Sequence, residues 1–151
     1  MKKQPTSQMC FVCGRENPIG FHMQFYADEE NRVHADYTPH EAQQGYPGVL
    51  HGGLVTALLD EVIGFAGIAS NVWCMTAKLD VRFRKPIPVN ARLHVMGEIT
   101  SHKRNLVEGH SEIRLGDGSV AAEARGTFLR IPEAQLKNYK QALAMWQVEE
   151  K

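Results

Sequence analysis

Disulfides, a field of one sign and a membrane-length apolar run are all missing from this sequence. Only three cysteines, Cys10, Cys13 and Cys74, occur in 151 residues. That is no disulfide framework, and a reducing cytoplasm is the expected compartment. The 17 Lys and Arg residues balance 17 Asp and Glu residues, so no overall field marks a nucleic-acid partner. The longest apolar stretch, residues 54–69, is broken by Thr56, Asp60 and Glu61. It reads as too short and too polar for a membrane span, and no membrane partner is expected. Residues 1–8 are polar and lack the apolar centre of a signal peptide. Residues 1–9 are expected to be a flexible tail, and 10–151 a single domain with its own core. There is no internal repeat and no low-complexity segment.

What is present is a change of period. Residues 21–26 read as a first strand, 28–31 as a turn and 32–37 as a second strand. Pro39, Gly45, Pro47 and Gly48 make 38–50 a loop. A helix is predicted from about Gly52 to Ser70, with apolar residues over most of its circumference, so it should be buried nearly all round. The period then becomes two: Ala77, Leu79, Val81 and Phe83 alternate with Thr76, Lys78, Asp80, Arg82 and Arg84, a strand with its first set in the core. Further strands follow at about 91–101, 104–115 and 119–130, with Asp117-Gly118 as a hairpin signal. A last helix over 133–147 carries Leu136, Tyr139, Leu143 and Trp146 as its apolar stripe. Strands joined by short turns pair antiparallel, and one buried helix against such a sheet is an α+β arrangement.

The chemistry-bearing segment lies at the start of the buried helix. His51, Gly52 and Gly53 precede Leu54, and two glycines there cost helix stability unless something must approach the backbone. The first turn of a helix has unpaired N–H groups and partial positive charge, a site for an oxygen that gains negative charge, such as a thioester carbonyl becoming an oxyanion. Asp60 and Glu61 sit inside the same apolar helix, where a carboxylate is costly unless paired or used. Asp60 shares a small polar face with Thr56 and Gly64; Glu61 points about 100° away, alongside Ala57 and Phe65. Eight residues separate Gly52 from Asp60, roughly 12 Å along a helix. Both groups cannot reach one carbonyl carbon within a chain. If both are catalytic, they must come from two copies related by a two-fold axis.

His51-Gly52-Gly53 followed by Asp60, together with the runs Cys13–Gly20, Pro47–Gly53 and Thr76–Pro86 and the pair Asp117-Gly118, resembles the PaaI-like acyl-CoA thioesterases of the hotdog superfamily. The resemblance covers residues 10–130. It implies a curved antiparallel sheet wrapped around one long central helix, and a homodimer or a dimer of dimers acting on acyl-CoA. It implies no cofactor, CoA being part of the substrate. Asp60 matches the helix acid that acts as general base or nucleophile, Gly52 the backbone donor to the thioester carbonyl, and His51 the histidine that orients the loop or contacts the thioester region. Thr76 falls where relatives place a Ser or Thr that positions water. Some relatives carry an Asn six residues before the histidine; this chain has Gly45 there, and Gln44 or Gln43 is the neighbouring amide that could replace it. Gly53 and Glu61 are candidate substrate contacts, and Arg84, Lys85, Lys103 and Arg104 candidate partners of the CoA phosphates.

Cys10 and Cys13 have zinc-type spacing but form half a site, and no metal is expected. Two other functions stay open: an acyl-thioester hydratase or dehydratase, and a non-catalytic acyl-CoA-binding protein.

Overall fold

The computed structural model describes residues 1–142. Its strands are β1 (Lys2–Lys3), β2 (Tyr26–Ala27), β3 (Val33–Tyr37), β4 (Cys74–Phe83), β5 (Leu93–Lys103), β6 (Leu106–Leu115) and β7 (Val120–Arg130); its helices are α1 (Gly52–Ala69) and α2 (Glu133–Ala142). All strand pairs are antiparallel, in the order β1-β2-β3-β5-β6-β7-β4. The sheet wraps α1, the hotdog arrangement that the resemblance implied. Leu143 and Trp146 of the expected last stripe lie outside the described residues.

α1 starts where His51 caps it. His51 is extended (φ −58, ψ 132) and its side chain accepts from the Gly53 N–H, so one of the unpaired first-turn donors is satisfied. The helix stops at Ser70 because Asn71 turns left-handed (φ 58) and the Val72 N–H bonds back to the Gly67 carbonyl, a common way to satisfy helix-end carbonyls. Val55, Leu58, Leu59, Val62, Ile63, Phe65 and Ala66 are buried, each worth about 1.5–3 kcal/mol for the larger side chains. By length and composition α1 is apolar enough to cross a membrane; here it is the core helix of the sheet.

One chain does not bury α1 all round, as its composition suggested. Thr56, Ala57, Asp60, Glu61 and Gly64 stay partly exposed, a stripe at i and i+4 spacing. On the covered side the helix meets the sheet at glycine. A Cβ on Gly97 would lie 2.8 Å from the backbone C and O of Val62. Ser111 Oγ, fully buried, donates to the Leu59 carbonyl at 2.9 Å. Gly97→Ala must therefore push β5 off the helix, at a cost of about 1–3 kcal/mol. Gly116→Ala, at an exposed turn with nothing within 4 Å of the new methyl, should change stability by less than about 0.5 kcal/mol. Urea unfolding of the two variants checks this pair.

Two expectations about the N-terminal part fail. Residues 1–9 are not a loose tail: Lys2–Lys3 pairs with Tyr26–Ala27, the Gln4 N–H donates to the Phe25 carbonyl, and Gln4 and Thr6 are buried. Polar residues serve here because it is their backbone that extends the sheet. The strand predicted over 21–26 shrinks to Tyr26–Ala27. Phe21, Met23, Phe25 and Ala27 do alternate into the core. Their neighbours, however, are the irregular residues Phe11 and Val12, which accept from Phe21 and Met23, so no regular ladder forms. Phe25 stacks on Phe65 of α1 with ring centroids 4.3 Å apart.

Candidate active site

The loop before α1 is held from several sides. The His51 N–H donates to the Gln43 carbonyl and the Leu50 N–H to the Ile87 carbonyl. His51 Nδ1 accepts from Gly53 N at 2.9 Å, so a neutral imidazole carries its proton on Nε2. That bond occupies the Gly53 N–H and leaves Gly53 no donor for a substrate. Among the described residues nothing accepts the Gly52 N–H. His51 and Gly52 line an open groove of about 850 Å³ with Tyr46, Phe83, Arg84 and Lys85. A free N–H at a helix start, beside a histidine and two cations, can stabilise an oxygen that gains negative charge.

Asp60 lies elsewhere, in a smaller pocket of about 380 Å³ with Glu61, Gly64, Cys74, Met75, Thr76 and Phe128. Its Oδ1 accepts from Thr76 Oγ1 at 2.7 Å. Strict alternation put Thr76 on the opposite face from Leu79. The strand has a bulge between Thr76 and Lys78. The extra residue, Ala77, lets Thr76 face the helix while Leu79 and Val81 still pack on the core, the re-aiming that bulges provide. Ala77, expected inside, is exposed. Phe83 is 55% exposed, yet its ring edge lies 3.5 Å from where a Gly52 Cβ would be. The Cys74 thiol is pushed up to about 11 by burial and by the charge of Asp60, which leaves it protonated and a poor nucleophile.

Glu61 borders the same pocket, but its carboxylate meets the N-terminal segment. Its Oε1 lies 3.2 Å from Cys10 Sγ, and burial, with Cys10 beside it, pushes its carboxyl up to about 8. Cys10 also receives the Val12 and Cys13 N–H groups, each at 3.4 Å. The Cys13 thiol holds Cys10 down to about 5 against the effect of burial. Cys13, wholly buried, is raised by its bond to Cys10 and by desolvation. No sequence spacing links residues 10 and 13 to 61, and only the fold brings them together.

Of the four basic candidates, Arg84 and Lys85 line the groove at Gly52, with Arg84 Nη2 also paired to Glu123 at 2.8 Å. Lys103 and Arg104 sit at the β5–β6 hairpin. The ladder from Leu106 to Leu129 and on to Met75 places that hairpin at the Asp60 end of the sheet. Gln44 lines neither pocket; its Oε1 accepts from the Gly48 N–H at 2.8 Å and holds the loop. Gly45, in the place of the relatives' Asn, packs against His51, with a Cβ position 3.3 Å from the imidazole Cδ2.

An antiparallel sheet wrapped around one central helix is a fold this chain shares with proteins of known structure. A sequence model of the thioesterase superfamily matches residues 47–122, half of the chain, and the chain belongs to that superfamily. Acyl-coenzyme A thioesterase THEM4 of Mus musculus is 27% identical over 138 residues, covering 89% of this chain and 60% of the mouse protein. The chain thus spans little more than half the length of the curated relatives it matches. A thioesterase superfamily protein of known crystal structure is 30% identical, with a TM-score of 0.77 over 80% of this chain and 62% of that one. A hypothetical thioesterase from Streptococcus pneumoniae shares the fold, with a TM-score of 0.69 at 17% identity over 74% of this chain and 92% of that one. It has been crystallised with coenzyme A, and as variants in which a threonine or an aspartate, sixteen residues apart, is replaced by alanine.

Proposed function

We propose that this chain hydrolyses acyl-CoA thioesters to the free acid and CoA, as a homodimer whose active sites draw on both copies. The observation that carries the reading is the pair of half-sites. The free Gly52 N–H opens on one groove, and Asp60, bonded to Thr76, opens on another. The rise of an α-helix keeps them roughly 12 Å apart in one chain. A second copy packed antiparallel against the open stripe of α1 brings one copy's Asp60 to the other's Gly52. β4 is suited to such pairing: it is a ten-residue edge strand, and Met75 and Phe83 along it are more than half exposed, a surface that natural proteins cover. The same arrangement sets Arg84 and Lys85 of one copy near the end where the other carries Lys103 and Arg104, a basic surface for the CoA phosphates.

In the reaction the thioester carbonyl oxygen rests on the Gly52 N–H. Asp60 of the second copy either removes a proton from a water that Thr76 helps to hold or attacks the carbonyl carbon itself. The tetrahedral oxyanion forms at Gly52, the C–S bond breaks, and CoA leaves as a thiolate. A thiol pKa of about 8.5 makes that departure easy without a strong acid. When Asp60 acts as base, the water oxygen enters the carboxylic acid in that same step; when Asp60 attacks, the acyl group stays on it as a mixed anhydride, which a water molecule then splits into the free acid and the regenerated carboxylate. The sixteen-residue separation of Asp60 and Thr76 equals that of the aspartate and threonine altered in the pneumococcal protein. The free thiols Cys10, Cys13 and Cys74 suit a reducing cytoplasm. A thiol-release assay over short, long and aromatic acyl-CoAs should show turnover with at least one class. Enoyl-CoA interconversion without thiol release would favour a hydratase, and tight binding without either reaction a non-catalytic binder.

A further inference from the structure

We propose that Cys10, Cys13 and Glu61 form a binding site for a thiophilic divalent cation of the zinc class, which clamps the N-terminal segment onto the central helix. The ligand atoms of all three lie within 4.8 Å of one another, and Cys10 Sγ is 3.2 Å from Glu61 Oε1. A tetrahedral zinc ion with sulfur at about 2.3 Å and oxygen at about 2.0–2.2 Å sets its ligands roughly 3.5–3.8 Å apart. The cluster reaches that spacing by small side-chain shifts.

The turn that carries the cysteines is built for a thiolate. Val12 and Cys13 aim their N–H groups at Cys10 Sγ, the support a metal-bound sulfur receives from its outer shell. The Gly14 N–H closes the turn on the Cys10 carbonyl at 2.8 Å. A side chain at Gly14 would strike that carbonyl oxygen at 2.3 Å, so only glycine completes the turn. The buried Asn17 fixes the next bend, donating to the Met9 carbonyl at 3.1 Å.

Glu61 supplies what the cysteine spacing lacks. Among the described residues no cationic side chain is paired with its carboxylate, although it lies on the apolar central helix against two thiols. A divalent cation satisfies all three groups at once, and its binding releases to solvent whatever protons the two thiols and Glu61 carry. Three protein ligands leave a fourth position for water or another donor. The site stands on its own geometry and does not depend on the thioesterase reading.

The test is a cobalt(II) titration of the full-length chain, stripped with a chelator under reducing conditions. A thiolate-to-cobalt charge-transfer band saturating at one ion per chain, bleached by zinc, is expected. Glu61→Gln, which keeps the shape of the side chain, should weaken cobalt binding by at least about tenfold, and Cys13→Ser should abolish the band. Zinc should raise the Tm of the wild-type chain and not that of Cys13→Ser. A stripped chain that is folded by circular dichroism yet shows no band overturns the proposal. So does a band of equal affinity in wild type and Glu61→Gln, a comparison that remains decisive if Cys13→Ser fails to fold.

Discussion

Asp60→Ala should lower kcat for acyl-CoA hydrolysis by about 10²–10⁴-fold, the range for loss of a positioned acid–base group, while KM changes little. The chain should stay folded. Asp60 is only partly buried and among the described residues accepts one side-chain hydrogen bond, from Thr76, so removing it opens no core cavity and orphans no buried partner. Asp60→Asn keeps the Thr76 bond and loses the charge; if Asp60 acts as base or nucleophile, this variant falls with Asp60→Ala. Near-normal turnover by either would remove the aspartate from the reaction. Steady-state kinetics beside a thermal unfolding curve separate loss of chemistry from loss of fold.

Gly52→Pro tests the other half-site with an unusually clean deletion. Proline is tolerated at the first position of a helix and requires an extended residue before it; His51, at φ −58 and ψ 132, already has that conformation. The Gly52 N–H has no acceptor among the described residues, and a Cβ there meets only the Phe83 ring, at ordinary contact distance. The substitution removes that backbone donor and puts a ring methylene in its place. The expected result is an unchanged Tm and a kcat lower by about 10²–10³-fold, the cost of one oxyanion donor. Full activity at unchanged Tm would show that the carbonyl is polarised elsewhere.

The main frame of this molecule can be read from its residues because its two periods are strong. The apolar run around Leu58 and Val62 is too dense for a surface helix, and the later strands end at Pro86, Asp117 and Gly118, where turn chemistry is plain. The candidate site was legible in part. His51, Gly52 and Asp60 stand out as glycines and a carboxylate where an apolar helix would not place them. Three features were hidden for separate reasons. The bulge at Ala77 leaves no mark in the alternation, so Thr76 reads as facing away from the helix that it touches. The order of Lys2, Gln4 and Thr6 arises from backbone pairing, which polar side chains do not advertise. The meeting of Cys10, Cys13 and Glu61 depends on a long-range contact that no local spacing encodes. Gly53 and Gln44 show the converse: both fit the pattern of a site, but their hydrogen bonds are spent within the loop.

In the proposed mechanism one active site is assembled from two chains. Differently tagged Asp60→Ala and Gly52→Pro chains, denatured together, refolded and purified through both tags, give mixed dimers. Each mixed dimer holds one site with both groups intact and one with neither. Thiol release by these mixed dimers should return to about half the wild-type rate per dimer, far above either parent. Mixed dimers no more active than the two parents would contradict a shared site.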